Sequence, residues 1–202
     1  MSILDADQHL ATNRYHDRHF GKEAAKILPG EYFVAKNGML LVTVLGSCIA
    51  ACIRDPMVGI GGMNHFMLPD DGVKGTVTSS ARYGTYAMEL LINHLLKLGA
   101  KKERLEAKLF GGGAVMASLA SSNVGIRNAS FALDFLATEG IPIIAKDLLE
   151  SYPRKVYYFT DSGRVLVKKL NRVQNDTLYS REASYKASLA KAPVVGDVEL
   201  FI

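Results

Sequence analysis

The stretch LLVTVLGSCIAACIRDPMVGIGGMNHFM, residues 40–67, decides how this chain folds. It contains three apolar runs, Leu40–Val44, Ile49–Ile53 and Ile60–Met67. Apolar runs of this length, bounded by turn residues, are typical of buried strands. Asp55-Pro56 separates the second run from the third, and proline presets the φ angle that a turn requires. The stretch therefore predicts buried strands, the last two of which are joined by a tight turn.

The residues before this stretch predict one more strand and a polar arm. Asn37-Gly38 is a strong signal for a two-residue hairpin turn, because both residues tolerate positive φ. We therefore expect Leu40–Val44 to run antiparallel to a strand at Tyr32–Ala35. Residues 1–28 are polar with a short helical pattern, and they lack the basic and apolar regions of a secretory signal. They are predicted to form an N-terminal arm.

The residues after the stretch predict two helices and further strands. Apolar residues recur at helical spacing from Ser79 or Ser80 to Leu98, and again from a cap at Asn128 to Gly140. The predicted strands are Ala107–Phe110, Ile141–Ala145 as a buried strand, Val156–Phe159, Val165–Leu170 and, near the end, Val198–Ile202. Strands outnumber helices and come largely as hairpins. This pattern indicates an α+β fold of mostly antiparallel sheets with two packed helices.

Length and composition predict one domain in a reducing compartment. The chain has 202 residues, and we expect a folded domain over residues 29–170 with residues 171–202 as an extension packed on it. The two cysteines are too few for a disulfide framework or a zinc ribbon. The most apolar run, Met39–Ile53, is too short to span a bilayer. We expect a cytoplasmic protein with reduced thiols and without membrane insertion.

The formal net charge of +4 bears on the partners of the protein. The basic residues that weight the C-terminal part are Lys168, Lys169, Arg172, Arg181, Lys186 and Lys191. They form either a solvated face or a surface for an anionic partner. The chain has no basic–aromatic stripe and no nucleic-acid motif, so an acidic protein helix is favoured over nucleic acid.

Cys48 and His65 are the candidate catalytic pair. A turn centred between Pro56 and Met57 places them directly opposite each other, where Cβ atoms lie roughly 4.5–5.5 Å apart on one face. A histidine at that distance can take the proton of a thiol whose ordinary pKa is about 8.5. Gly46-Ser47 predicts a small-residue bend before the cysteine, whose backbone N–H groups can hold an oxyanion. This pattern points to acyl-transfer chemistry.

Several of these residues also have plainer interpretations. A buried cysteine often acts only as a small apolar side chain, so a packing role stays open for Cys48, and Cys52, deeper in its apolar run, is assigned to the core. Gly111–Gly113 is assigned to an ordinary loop, because no phosphate-binding lysine follows it. The histidines of the arm lack a fixed carboxylate or cysteine partner. We therefore predict no metal site and no cofactor.

Motifs throughout the chain resemble those of the CheD family of chemoreceptor glutamine deamidases. The segments that carry the resemblance are Thr43-x-Leu-Gly-Ser-Cys48, Asp55-Pro56, Gly61-Gly-Met-x-His-x-Met-Leu-Pro69, Lys108-Leu-Phe-Gly-Gly-Gly113, Ile126-Arg-Asn128, Gly140-Ile-Pro-Ile143, Asp147 and Gly163-Arg-Val-Leu-Val-Lys168. They span roughly Gly30 to Leu170. One departure is Leu148–Arg154, where members of the family usually have a glycine-rich stretch. The shape of that loop is therefore expected to differ.

The resemblance implies more than the residues alone establish. It implies deamidation of glutamines on the cytoplasmic helices of chemotaxis receptors, by a fold similar to the catalytic domain of cytotoxic necrotizing factor toxins. It implies a triad in which Cys48 is the nucleophile, His65 the base and Thr43 the residue that orients the imidazole. It also implies a CheC-type phosphatase as a partner for some members. Two other functions stay open: a cysteine amidase or peptidase of different specificity, and a non-catalytic binding partner of a chemotaxis phosphatase.

Overall fold

The computed structural model describes residues 9–36, 38–69, 77–115, 123–170 and 176–189. The strands within these residues are β1 (Asn13–Asp17), β2 (Lys22–Lys26), β3 (Tyr32–Ala35), β4 (Leu40–Leu45), β5 (Ile49–Asp55), β6 (Ile60–Asn64), β7 (Glu106–Gly111), β8 (Ile143–Leu148), β9 (Arg154–Phe159) and β10 (Val165–Lys169). The helices are α1 (Val77–Lys97), α2 (Val124–Thr138) and α3 (Asp176–Leu189), with a short 3-10 turn at Lys102–Arg104.

The strands form two five-stranded sheets, with orders β1-β2-β4-β9-β10 and β3-β6-β5-β7-β8. The pairings β2–β4 and β7–β8 are parallel, and the other pairings are antiparallel. Helices α1 and α2 pack on the second sheet. The predicted α+β class with mostly antiparallel sheets is therefore confirmed.

Strand β5 shows why the central stretch is apolar on both faces. Its residues Ile49, Ala51 and Ile53 belong to the core that the second sheet shares with α1 and α2. Ala50 and Cys52 belong to the core between the two sheets. Successive side chains of a strand point to opposite faces, so a strand between two cores must be apolar throughout. The first of the three apolar runs forms β4, in the other sheet.

The predicted hairpin between Tyr32–Ala35 and Leu40–Val44 is wrong. Strand β3 pairs with β6 in the second sheet, whereas β4 pairs with β2 and β9 in the first. Asn37 lies outside the described residues, and Gly38 has a φ of 77°. Both strands are almost entirely buried, and each finds its partners elsewhere in the chain. A turn signal reports only local geometry and does not decide which sheet a strand enters.

Other predicted elements need smaller corrections. Residues 13–26, assigned to a polar arm with a helical pattern, form β1 and β2, and Ala24 and Ala25 in β2 are buried. Strand β8 was predicted to be buried, but it is an edge strand on which Ile144 is exposed. Asn128 does not cap α2, because that helix begins at Val124. The first turn of α2 lacks the helical spacing of apolar residues from which the start of the helix was predicted.

The C-terminal part contains α3, a helix that the sequence pattern does not predict. The strand candidate Val198–Ile202 lies outside the described residues. Within the part of the chain that the structure describes, no helix is both long and apolar enough to cross a membrane.

Candidate active site

Residues 46–48 form a short crossing from β4 in the first sheet to β5 in the second. The carbonyl oxygens of Gly46 and Cys48 accept hydrogen bonds from the N–H groups of Gly113 at 2.7 Å and Gly112 at 2.8 Å. The Ser47 carbonyl accepts one from the side-chain amide of Asn128 at 2.8 Å. The carbonyls of this crossing are thus bonded to the glycine loop and to α2. The N–H groups of Gly46 and Ser47 are bonded elsewhere, to a side chain of α3.

The glycine triplet is required for this arrangement. Gly111 has a φ of 115°, and a Cβ atom there would lie 2.0 Å from the carbonyl oxygen of Cys48. Any other residue would displace the crossing that carries the cysteine, because backbone cannot move aside as a flexible side chain can. The interpretation of Gly111–Gly113 as an ordinary loop therefore understated its role. The triplet supports the backbone on both sides of Ser47.

Thr43 fixes the tautomer of His65. The Thr43 hydroxyl donates to the carbonyl of Ile27 at 2.7 Å and lies 2.8 Å from Nδ1 of His65. A hydroxyl has one proton to donate, so at this second contact the Thr43 oxygen accepts the proton of Nδ1–H. Nε2 of the neutral ring then carries the lone pair. Nε2 is buried and has no hydrogen-bond partner among the described residues.

The backbone around His65 is fixed as well. Its N–H donates to the carbonyl of Glu31 at 2.9 Å, and its carbonyl accepts from the N–H of Gly30 at 2.7 Å. The imidazole is therefore held from both the main chain and the Thr43 hydroxyl. Such double support is what a base needs if its lone pair is to keep one direction.

The predicted register of Cys48 and His65 is wrong, although the two residues still share a face. Cys52 pairs with Met63, and Ile49 forms a bridge with Phe66, so His65 lies opposite Ala50. The turn at residues 56–59 is longer than the two-residue centre assumed, with Gly59 at a φ of 65°. Cys48 and His65 become diagonal neighbours on one face, where the separation is typically roughly 7–8 Å between Cα atoms.

All three predicted residues of the triad face the space between the sheets. Cys48 lies in the inter-sheet core itself. Thr43 lies between Leu41 and Leu45 on β4, both of which belong to the same core. His65 lies two residues after Met63, which belongs to the same core, so the two side chains share a face. Thr43, Cys48 and His65 are exposed by only 1%, 0% and 2%.

Burial determines the protonation of both candidate groups. It raises the pKa of the Cys48 thiol well above its usual range, and the negative charge and hydrogen bonding of Glu182 raise it further, opposed by the backbone N–H of Cys48 itself. Burial lowers the pKa of His65 to about 4, opposed by the carbonyl group of Ile27, which also accepts the Thr43 hydroxyl. In this arrangement the thiol and the imidazole are both neutral at pH 7.

Glu182 on α3 is the residue of the site that sequence patterns missed. It is fully buried. One carboxylate oxygen accepts the N–H of Gly46 at 2.8 Å, and the other accepts the N–H of Ser47 at 3.2 Å and its hydroxyl at 2.8 Å. The backbone donors predicted to bind an oxyanion therefore bind a carboxylate from the chain itself.

Asn128 is a second residue whose role the sequence did not show. Besides its bond to Ser47, it accepts the N–H of Leu68 at 2.9 Å, so it joins the cysteine crossing to the segment after His65. Its neighbour Arg127 donates to the Pro69 carbonyl and to Ser80, at 3.1 Å each. The signal that could have revealed Asn128 is its position in the Ile126-Arg127-Asn128 motif.

The altered loop at residues 148–154 supports the glycine triplet from the other side. Leu149 and Glu150 adopt positive φ angles of 66° and 69°. Each such conformation costs a residue other than glycine roughly 1–2 kcal/mol. The N–H of Leu149 donates to Gly111 and the carbonyl of Glu150 accepts from Ala114. This loop therefore lacks the glycines expected from the family resemblance, but Leu149 and Glu150 still adopt backbone conformations that glycine favours.

Comparison with known proteins agrees with these motifs. The family model described as "CheD chemotactic sensory transduction" matches residues 67–169. The protein named "Probable chemoreceptor glutamine deamidase CheD 1" from Dechloromonas aromatica is 75% identical over 97% of this chain and 98% of its own length. The protein named "Probable chemoreceptor glutamine deamidase CheD" from Herminiimonas arsenicoxydans is 61% identical over 96% and 97%. This chain belongs to the CheD family.

Proposed function

We propose that this protein is a protein-glutamine glutaminase that converts glutamine side chains of chemotaxis receptors to glutamate. The observation that carries the proposal is the tautomer of His65, whose Nδ1–H is held by Thr43 while Nε2 keeps a free lone pair. An oriented imidazole with a free lone pair, on the same face as a cysteine, supports a role for these two side chains as base and nucleophile in amide hydrolysis. Membership of the CheD family and the names of the relatives supply the substrate.

The proposed reaction begins with proton transfer from the Cys48 thiol to Nε2 of His65. The thiolate attacks the carboxamide carbon, and the carbonyl oxygen becomes an oxyanion that the N–H groups of Gly46 and Ser47 stabilise. His65 then returns its proton to the nitrogen, and ammonia leaves as the thioester forms. Water, deprotonated by His65, attacks the thioester, and the thiol leaves with the proton to give glutamate. No cofactor takes part in this sequence.

When the neutral carboxamide of the substrate takes the place of the Glu182 carboxylate, proton transfer from Cys48 to His65 becomes easier. The negative charge of Glu182 is one of the causes that hold the pKa of Cys48 high. A glutamine carboxamide at the same N–H groups carries no charge, so the thiolate next to it is less disfavoured. Substrate binding thereby favours the thiolate–imidazolium pair that attacks it.

The setting of this activity follows from the substrate. Receptor helices that carry the modified glutamines lie on the cytoplasmic side of the membrane, so we place the protein in the cytoplasm. We place the catalytic unit at residues 29–170, to which the N-terminal segment adds β1 and β2 of the first sheet and the C-terminal extension adds α3. A CheC-type phosphatase is the second partner that the family resemblance implies.

The test is the mass of a purified receptor cytoplasmic fragment after incubation with the protein. Conversion of an amide to an acid adds about one dalton at each modified glutamine, and peptide mapping locates it. The Cys48→Ala protein is the matched control for spontaneous deamidation. Conversion of unrelated glutamine peptides at the same rate would indicate a general amidase, and no conversion by folded protein would contradict the proposal.

A further inference from the structure

Glu182 occupies the place where the proposed reaction leaves its product. The side chain of the product is a glutamate carboxylate, held by the donors that held the oxyanion. Glu182 is a glutamate side chain whose two oxygens accept the N–H groups of Gly46 and Ser47. It also lies close enough to Cys48 to be the main charged group that perturbs its thiol.

The way in which Glu182 is buried is unusual for a structural carboxylate. A buried charge normally pairs with a cation, because desolvation is costly. The partners of Glu182 in the described residues are instead two backbone N–H groups, one hydroxyl and the Cys48 thiol. Such a donor set has no net charge. A neutral carboxamide can place its oxygen at one N–H group, and its NH2 group can donate to the Ser47 hydroxyl, which is able to accept.

The rest of α3 fits the domain as a helical ligand fits a groove. Tyr185, one turn after Glu182, packs on the inter-sheet core, as does Leu189 one turn further on. The hydroxyl of Tyr185 meets that of Tyr83 on α1. Residues at this spacing form one face of a helix, the usual pattern of helix-in-groove recognition. Arg181 and Ser184 on the same helix are exposed.

Two glycines allow the helix to approach closely. A Cβ atom at Gly46 would lie 2.7 Å from a carboxylate oxygen of Glu182. A Cβ atom at Gly30 would lie 2.8 Å from the hydroxyl of Tyr185. Gly30 also donates its N–H to the carbonyl of His65, so the helix contacts the chain next to the base as well as next to the nucleophile.

With α3 in place, Cys48 is 0% exposed, and a receptor helix has no route to it. We propose that α3 is an internal product analogue, in which Glu182 occupies the site of the substrate glutamine and the helix occupies the site of the receptor helix. This inference rests on the proposed function. The receptor must displace α3 before catalysis, and a tethered competitor acts at a high effective concentration.

The sharpest test is Glu182→Gln, which places a substrate side chain where the product analogue lies. Cys48 attacks the carboxamide of the introduced glutamine, ammonia leaves, and water hydrolyses the thioester to a glutamate side chain. The purified variant should therefore gain about one dalton at position 182 and revert to the wild-type residue. The double variant Cys48→Ala with Glu182→Gln should keep the introduced glutamine, and so should Glu23→Gln, on the exposed face of β2.

The receptor fragment separates failure of this inference from failure of the proposed function. If the Glu182→Gln protein deamidates the fragment but keeps its own introduced glutamine, the inference is overturned and the activity stands. A different result contradicts the proposed function itself, together with the inference that rests on it. In that result neither folded protein deamidates the fragment, and the variant also keeps its introduced glutamine.

A second variant tests displacement directly. Glu182→Ala with Tyr185→Ala removes two of the side chains that hold α3 in the groove. Labelling of Cys48 by a thiol reagent and kcat/KM for the receptor fragment should each rise about tenfold or more, because the tethered competitor is weakened. Ser184→Ala, on the exposed side of the same helix, should change neither rate. Equal labelling and equal kcat/KM in wild type and both variants would show that α3 does not compete with the substrate.

Discussion

Cys48 and Cys52 lie four residues apart in one apolar run, and both contribute to the core between the sheets. Cys52 lies inside β5, opposite Met63 on one side and Lys108 on the other, so its backbone belongs to a continuous ladder. Cys48 lies just before that strand begins, where the chain crosses between sheets. At the crossing the N–H groups of Gly46 and Ser47 leave the ladder and bind the Glu182 carboxylate.

In the proposed reaction only one of these two buried thiols is the nucleophile, so burial alone does not identify it. Burial raises the pKa of both cysteines. The difference lies in what surrounds each sulfur: a carboxyl-binding pair of N–H groups and an oriented imidazole near Cys48, and a regular ladder around Cys52. Chemistry is available where the backbone leaves its ladder, because only there are N–H groups free to serve a ligand.

The largest difference is expected in activity after removal of the Cys48 sulfur. Cys48→Ala and Cys48→Ser should lower kcat/KM for the receptor fragment at least about 10³-fold, because thiolate nucleophilicity is lost. Circular dichroism should show a folded protein. Activity near the wild-type level in either variant would remove Cys48 from the role of nucleophile.

The free energy of unfolding should depend on pH through His65, which belongs to the same candidate site as Cys48. Cys52 should not contribute to this dependence. His65 has a folded-state pKa of about 4, below its ordinary value of 6.5. Between these two pH values the unfolded chain binds more protons, so the free energy of unfolding falls as pH falls from about 6.5 towards 4. The loss due to His65 is at most about 3 kcal/mol.

Urea titrations at pH 7 and at pH 4.5 measure this loss. His65→Gln should lose that part of the pH dependence, whereas Cys52→Ala should keep the wild-type slope, because a thiol does not titrate in this range. An identical slope in wild type and His65→Gln would mean that His65 is not buried in its neutral form.

Thr43 should contribute less than His65 to the reaction. Thr43→Val removes the hydroxyl that accepts the Nδ1 proton and leaves the ring present. We expect kcat to fall about 10–100-fold, because the base keeps its proton chemistry but loses its fixed tautomer. His65→Gln should reduce kcat more. Equal and complete loss in both folded variants would mean that Thr43 does more than orient the imidazole.

The sequence predicted the parts of the fold that depend on local pattern. The apolar runs, α1 and the hairpin of β9 and β10 are found close to their predicted bounds, because buried strands and amphipathic helices impose a periodicity that short segments display. The sequence did not predict every strand pairing or register correctly. Whether β3 joins β4 or β6 depends on contacts between strands that are not neighbours in the chain, whereas the register that places His65 opposite Ala50 depends on the length of the turn at residues 56–59.

The residues that the sequence proposed for the candidate site are those that lie close together in the chain. Thr43, Cys48 and His65 lie within one short stretch, whereas Glu182 reaches Gly46 across 136 positions. Helix α3 gave no clear signal, because only Tyr185 and Leu189 among its described side chains pack on the core and its other contacts with the domain are polar. Polar contacts of this kind leave no periodic trace in a sequence.

The smallest effect on activity is expected for Cys52→Ala, which removes the thiol that lies within a regular strand. The substitution removes one buried sulfur from the inter-sheet core, and the free energy of unfolding should fall by about 1 kcal/mol, less than for a larger apolar side chain. The ladder partners Met63 and Lys108 pair through the backbone and are unaffected. Activity on the receptor fragment should stay within about twofold of wild type, because the sulfur takes no part in the chemistry. Urea titration and fragment mass spectrometry on the same preparation measure both quantities, with Cys48→Ala as the matched variant. A large loss of activity in well-folded Cys52→Ala protein would show that the two cysteines do not divide packing and catalysis between them.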